Sequence, residues 1–263
     1  MAWTVEDIDW HRFDADAVDP ALLAVAKAAA LVEANADDYV AYLERVFAED
    51  PEFIAAAQHW GSEECRHGQA LARWATLADP DFDFARALAE FRRLYRLPLD
   101  VSRSVRGSEA RELIARCVVE CGTSGLYSAL RDAADEPVLR QICHNIASDE
   151  FRHYKLFLTH LQRYPRPSPW RRVATAAARV LEIGDDELAA AWHAANGQGN
   201  YRRNAAGRAF RRHVVPFYRP LHVGRMVKMT FAAAGLNAQG RLSRIGQWLA
   251  WHALQFYGGR PAI

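Results

Sequence analysis

The chain has no aspartate or glutamate after Glu187, although its 263 residues include 32 acids against 33 lysines and arginines. It also lacks any uninterrupted apolar run near the roughly 18 residues that a membrane span requires. Its start, Met1 through Asp9, is acidic and has no hydrophobic stretch of the secretory kind, so no signal peptide is expected. The four cysteines (Cys65, Cys117, Cys121 and Cys143) show no C-x-x-C spacing. They read as reduced core thiols of a cytoplasmic protein. No segment alternates convincingly between apolar and polar residues, and the class expected is all-α.

A hydrophobic fraction of 51% and a charged fraction of 25% are ordinary for a globular protein, and the length allows a large core. Charge is divided unevenly. Residues 1–165 carry 18 Lys+Arg and 28 Asp+Glu, whereas residues 166–263 carry 15 and 4. The shift falls at Pro165, Pro167 and Pro169. It divides the chain into a bundle domain, 1–165, and a basic helical C-terminal extension, 166–263.

One stretch occurs twice. Residues 63–67 read Glu63-Glu64-Cys65-Arg66-His67, and residues 149–153 read Asp149-Glu150-Phe151-Arg152-His153. Positions i and i+3 share a helix face, so each Glu–His pair can aim at one point. A single E-x-x-H arises often by chance. Two, each accompanied by a lone Glu on another helix, point to a carboxylate-bridged di-metal site in a four-helix bundle.

Periodicity supplies those helices. Pro20 opens a helix expected to run to about Glu49, with the stripe Leu22, Ala26, Ala29, Glu33, Ala36, Val40, Leu43 and Phe47. Glu33 is its only charged member, since Asp37, Asp38 and Glu44 fall off the stripe. After the Asp50-Pro51 turn the stripe is Phe53, Ala57, Trp60, Glu64, His67, Leu71 and Trp74. Residues 82–97 form a shorter helix that crosses the bundle. Ser108 caps a helix with the stripe Leu113, Cys117, Glu120, Ser124 and Tyr127, and Pro137 starts one with Leu139, Cys143, Ile146, Glu150, His153 and Phe157. Glu120 and Glu150 are equally far from the intervening turn, about 22 Å along each helix. Glu33 and Glu64 differ by about 6 Å in the same measure, which a loop can absorb. Beyond the prolines, helices are expected over 170–182, 185–195, 199–214 and 239–257; residues 1–19, with little periodicity, read as an extended N-terminal arm.

Glu33, Glu64, His67, Glu120, Glu150 and His153 thus form the candidate ligand set. Four carboxylates and two imidazoles suit a pair of iron ions, with manganese or a mixed pair as the alternative. The bland reading is six satisfied polar core residues. Metal-bound histidines usually donate their second N–H to a carboxylate. Asp149 is therefore read as a cross-helix partner of a ligand histidine, with Arg66 and Arg152 in neutralising ion pairs. Ordinary solvated helix charges are the alternative for Glu63 and Asp149.

The run Trp60-Gly-Ser-Glu-Glu64-Cys-Arg-His67-Gly68 resembles the first metal motif of soluble acyl-carrier-protein desaturases, and Ala147-Ser-Asp-Glu150-Phe-Arg-His153 resembles their second. Glu33 with Tyr39 six residues on, and Glu120 followed by Thr123, are similar to the family's other two helices. The resemblance covers about residues 20–160. It implies a ferritin-like four-helix bundle and a di-iron centre that activates dioxygen to oxidise an acyl chain. It also implies an external electron donor such as ferredoxin, Thr123 beside the oxygen-binding face, Trp60 next to the ligands, and a homodimer. The glycines near Thr123, Gly122 and Gly125, either border a cavity or allow close helix packing. Thr123 alternatively bonds back to its own backbone. A ferritin-like ferroxidase or peroxide-handling protein without an organic substrate is the second reading. A radical-generating protein using Tyr127 is the third.

The basic extension admits several partners. Arg202, Arg203, Arg211 and Arg212 form two doublets suited to acyl carrier protein or another acidic carrier. Val214, Val215, Phe217, Tyr218 and Leu221 interleave with arginines, as at a membrane surface. No recognition motif supports nucleic acid. The simplest account is packing of the extension on the acidic first half.

Overall fold

Acidic and hydroxyl side chains start most of the helices, several with proline in the first turn. In the computed structural model, which describes residues 3–182, 186–197 and 199–257, Asp19, Asp50, Asp83, Ser108, Glu136 and Ser168 all accept backbone N–H groups at helix N-termini. The helices they open are α1 (Pro20–Glu33), α3 (Pro51–Ala78), α4 (Phe84–Leu94), α5 (Glu109–Ala133), α6 (Pro137–Leu161) and α7 (Pro169–Leu181). The others are α2 (Ala36–Val46), α8 (Asp186–Asn196), α9 (Arg203–Val214), α10 (Pro220–Ala233) and α11 (Arg241–Tyr257). Among the described residues there is no strand, and no helix is long and apolar enough to cross a membrane.

Side-chain bonds between helix ends fix the directions. Trp74, late in α3, donates to the α6 cap Glu136 at 2.7 Å, and Asp50 before α3 accepts from Arg163 beyond α6 at 3.0 Å. Hence α3 and α6 are antiparallel. Gln58 of α3 meets Glu44 of α2 at 2.7 Å, while Lys27 of α1 pairs with Asp79 past the end of α3, so α1 and α2 also run against α3. The α3-to-α5 connection therefore travels the length of the bundle. Its start holds Phe82 under Lys27, its middle holds Arg92 against Asn35 at 3.1 Å, and its end holds Ser104 on Glu112 at 2.7 Å. This is the expected crossing segment, with its helical part shortened to Phe84–Leu94.

Three expectations need correction. The helix over 20–49 is two helices, broken at Ala34–Asn35 immediately after Glu33. Arg92 binds the Ala34 carbonyl at 3.2 Å and the buried Asn35 side chain, and Ala34 lies against α3 where only Gly68 leaves room. A Cβ on Gly68 would lie 2.7 Å from the Ala34 nitrogen. The N-terminal arm is not plain extended chain, because it makes three short 3-10 turns and buries Ile8. Helix α10 falls where no helix was expected. It is started by Pro220, with His222 Nδ1 accepting the Arg219 N–H at 3.1 Å in place of a serine or aspartate cap.

The C-terminal helices share the core of the first half. One cluster joins Leu22, Leu31, Leu71 and Trp74 with Ala190, Trp192, Phe210 and Val214. Val214 and Val215 are buried, contrary to their reading as part of a membrane face, while Leu221 is exposed. On the other side α10 rests on α5, with Met226 against Gly125 and Tyr154 of α6 donating to the Met229 carbonyl at 2.8 Å. Met1 and Ala2 of the arm, the expected helix start at Asp185, and Arg260 of the basic tail lie outside the described residues.

Candidate metal centre

The six expected ligands converge from α1, α3, α5 and α6 into two overlapping groups. Glu33, Glu64, His67 and Glu150 form one, and Glu64, Glu120, Glu150 and His153 form the other. Within each group the donor atoms all lie within 4.8 Å of one another. Glu64 and Glu150 belong to both. His67 Nδ1 stands 3.6 Å from Glu64, 3.3 Å from Glu150 and 3.7 Å from Glu33. His153 Nδ1 stands 2.9 Å from Glu64, 3.6 Å from Glu120 and 3.9 Å from Glu150. All six residues are buried.

The opposite edge of each imidazole is occupied. His67 Nε2 lies 3.0 Å from Asp149 on α6, and His153 Nε2 lies 2.9 Å from Glu63 on α3. Each acid precedes the ligand glutamate of one motif and serves the histidine of the other. Arg66 reaches Glu63 at 3.1 Å and Asp149 at 3.2 Å, and Arg152 likewise contacts both acids. The repeated pentapeptide thus builds a near-twofold cage in which the two arginines compensate the two outer acids. Asp149, Arg66 and Arg152 hold the expected positions. For Glu63, on His153 rather than in solvent, the signal in the sequence is its matching place in the repeat.

Electrostatics separate the outer acids from the inner ones. Burial opposes ionisation of Glu63, but the bonds from His153, Arg152 and Arg66 outweigh it and hold the carboxyl down at about 2. Asp149 is likewise overcompensated, chiefly by His67 and Arg152, and lies well below the ordinary range. Inside, burial together with the neighbouring Glu64 pushes Glu33 up to about 8. Burial and facing carboxylates also raise Glu120 and Glu150, whereas bonds from Glu33, His153 and His67 overcome burial and hold Glu64 low. The imidazoles of His67 and His153 are raised by the surrounding carboxylates against the effect of burial.

The inner atoms fit a metal. His153 Nδ1 and Glu64 Oε1, 2.9 Å apart, and His67 Nδ1 and Glu150 Oε1, 3.3 Å apart, are buried and approach each other without a properly directed hydrogen bond. An orphaned buried donor or acceptor costs about 1–3 kcal/mol, more when charged. Four orphans aimed at one space therefore call for a cation, and the oxygen and imidazole donors suit iron, manganese or a similar ion.

Other residues near the cage were only partly foreseen. The Thr123 hydroxyl donates to Glu150 and also to the Glu120 carbonyl at 3.1 Å, the second being the backbone bond that one sequence reading expects. Tyr127 donates to Glu33. The Trp60 ring stands edge-on to His153 with 6.4 Å between ring centres. Trp3 gave no periodic signal, yet its Nε1–H donates to Asp149 at 2.8 Å while its ring stacks parallel to His67. Tyr39 points elsewhere and donates to Glu187 at 2.7 Å. The two glycines divide the sequence alternatives: Gly122 has nothing within 4 Å of a built Cβ, whereas Gly125 is packed by Met226.

The arginine doublets lie away from the cage. Arg202 caps α9, which carries the other three. Arg202, Arg203 and Arg212 are exposed and Arg211 is half-buried. Arg203 pairs with Asp186, itself part of the C-terminal half. Among the described residues no ion pair joins the four to the acidic first half. The extension docks there through apolar contacts, the Arg106–Glu182 ion pair, Tyr39 on Glu187 at 2.7 Å and His222 on Asp132 at 3.0 Å.

Fold and site together define an all-helical protein with paired, buried carboxylate–histidine clusters that could bind metal. Among known proteins, no family model and no curated protein matches the chain.

Proposed function

We propose that the protein is a ferritin-like di-iron oxidoreductase that uses dioxygen to oxidise a lipid-like or carrier-bound acyl substrate. The observation that carries this reading is the sharing of Glu64 and Glu150 between two donor sets, each completed by one histidine and one further glutamate. Two divalent ions would balance the four inner carboxylates. Antiparallel helices joined in the middle by one long crossover are also the connectivity of ferritin-like bundles.

In this reading Glu33, Glu64, His67 and Glu150 hold one iron, and Glu64, Glu120, Glu150 and His153 hold the other. Bound iron would supply the redox chemistry of dioxygen. The chain supplies orientation and charge. Asp149 and Glu63 take the Nε2–H of His67 and His153, which fixes the tautomer and leaves each Nδ1 lone pair facing inward. Arg66 and Arg152 keep those outer acids ionised. Thr123 places a hydroxyl on Glu150, and Gly122 leaves open space beside the ligand helix. Desaturation would consume dioxygen, two electrons and two protons, and release an alkene with two waters. The electrons come from an external donor such as ferredoxin.

The test is to load the protein with ferrous iron and supply a reducing system and oxygen, with acyl chains free or on an acyl carrier protein. Loss of two hydrogens or gain of one oxygen in the acyl product supports the reading. Oxidation of excess ferrous iron with no organic product would replace it with the ferroxidase alternative.

A further inference from the structure

Helix α11 packs inward through Leu254 on the main core, yet most of its large apolar side chains face outward. Against α10 it sets small and polar residues: Ser243 is fully buried, Gly246 lies where a Cβ would be 3.3 Å from Phe231, and Gln247 faces Gly224. Toward solvent it sets Leu242, Ile245, Trp248, Leu249 and Phe256, which are 72, 54, 61, 54 and 82% exposed. At 100° per residue these five share one arc, away from the face that packs. Single exposed apolar residues need no explanation, but five on one face of one helix do.

Charge narrows the choice of occupant. Arg241 and Arg244 are the only charged residues of α11 and both are exposed. Exposed Lys228 lies on the adjoining α10, and the chain carries no acid beyond Glu187. A twofold contact between copies would set these cations against themselves. An anionic surface complements them. Tryptophan among leucine, isoleucine and phenylalanine, flanked by arginine, is the composition of a helix lying in the headgroup region.

We propose that α11 docks the protein on an anionic membrane surface. Leu242, Ile245, Trp248 and Leu249 enter the boundary between headgroups and acyl chains, and Arg241 and Arg244 meet lipid phosphates. The helix lies in the interface and does not span. This surface is independent of the metal cage and stands whether or not the site oxidises lipid.

The full chain is sedimented with phosphatidylcholine vesicles, with and without phosphatidylserine, at low and moderate salt. Binding is expected only with phosphatidylserine and falls as salt rises. The Ile245→Asp/Leu249→Asp double variant should bind about tenfold or more weakly with an unchanged melting temperature, because both side chains are exposed. Arg241→Ala and Arg244→Ala should each weaken binding roughly fivefold. The proposal is overturned if anionic vesicles are not bound, or if the variants bind as well as the parent. It is equally overturned if the aspartate pair instead dissolves a dimer in ultracentrifugation, or abolishes binding to acyl carrier protein while vesicles go unbound.

Discussion

Asp149 holds Nε2 of His67 at 3.0 Å from across the bundle. It thereby decides which nitrogen of that ring faces the inner carboxylates. The bond ties the second copy of the repeated motif to the first, and Glu63 returns it to His153 at 2.9 Å. Removing either acid leaves the six inner residues intact but frees a ring to turn and lose its tautomer. Asp149→Asn or Glu63→Gln should therefore lower metal affinity about 10–100-fold without abolishing binding. Competitive titration against a chelator measures this; unchanged affinity in both variants would remove the outer acids from the account.

Without metal, stability should fall as pH rises from about 4.5 to 8. Glu33 is raised to about 8 by burial and by Glu64, and Glu120 and Glu150 are raised with it. His67 and His153 are also raised, above 6.5, by their carboxylate neighbours. In that window the folded chain binds more protons than the unfolded one, so the slope of unfolding free energy with pH is negative. The lowered Glu63, Glu64 and Asp149 act below the window, and His160, lowered by burial, opposes within it. Melting of the metal-free protein across pH 5–8 checks the sign. Glu33→Gln should flatten the slope, and saturating metal should stabilise more at the alkaline end.

Two glycines close in sequence to ligand residues, Gly68 and Gly122, call for opposite outcomes. Gly68→Ala would press a Cβ to 2.7 Å from the Ala34 nitrogen and 3.0 Å from its Cα, at the break between α1 and α2. Backbone yields poorly, so a loss of about 1–3 kcal/mol is expected. Gly122→Ala meets open space and should gain up to about 1 kcal/mol from helix propensity. Thermal or urea unfolding separates the two. A stabilised Gly68→Ala would mean that the close approach of Ala34 is not a constraint.

Thr123→Val keeps the shape of the side chain and removes the hydroxyl that rests on Glu150. Metal content should stay near that of the parent, while the fraction of consumed oxygen recovered as oxidised acyl product should fall. Equal coupling in both proteins would return Thr123 to a structural role, bonded to the Glu120 carbonyl at 3.1 Å.

The repeat made the cage legible. Glutamate and histidine at i and i+3, recurring on apolar stripes, left few places for the side chains to go, and the equal distances of Glu120 and Glu150 from their turn brought them into one donor set. The break after Glu33 was hidden because its causes are remote in sequence: Arg92 reaches back to Ala34 and Asn35, and Gly68 admits Ala34. Helix α10 was missed because a histidine fills the place of a conventional cap and its basic–apolar composition reads as surface. Trp3 lies in a segment without period, and only the folded chain brings it to Asp149. The outward apolar face of α11 was not legible, because periodicity gives the width of a stripe but not the side on which the protein lies.

The central claim is that two metal ions share Glu64 and Glu150. An anomalous difference map at the iron edge, from crystals of iron-loaded protein, tests it most directly. Two peaks about 3.5–4 Å apart are predicted between the two carboxylates, one beside His67 and one beside His153. Both peaks should be lost or strongly depleted in Glu64→Ala and Glu150→Ala. A single peak away from these residues, or two peaks at full height in both variants, would contradict the account.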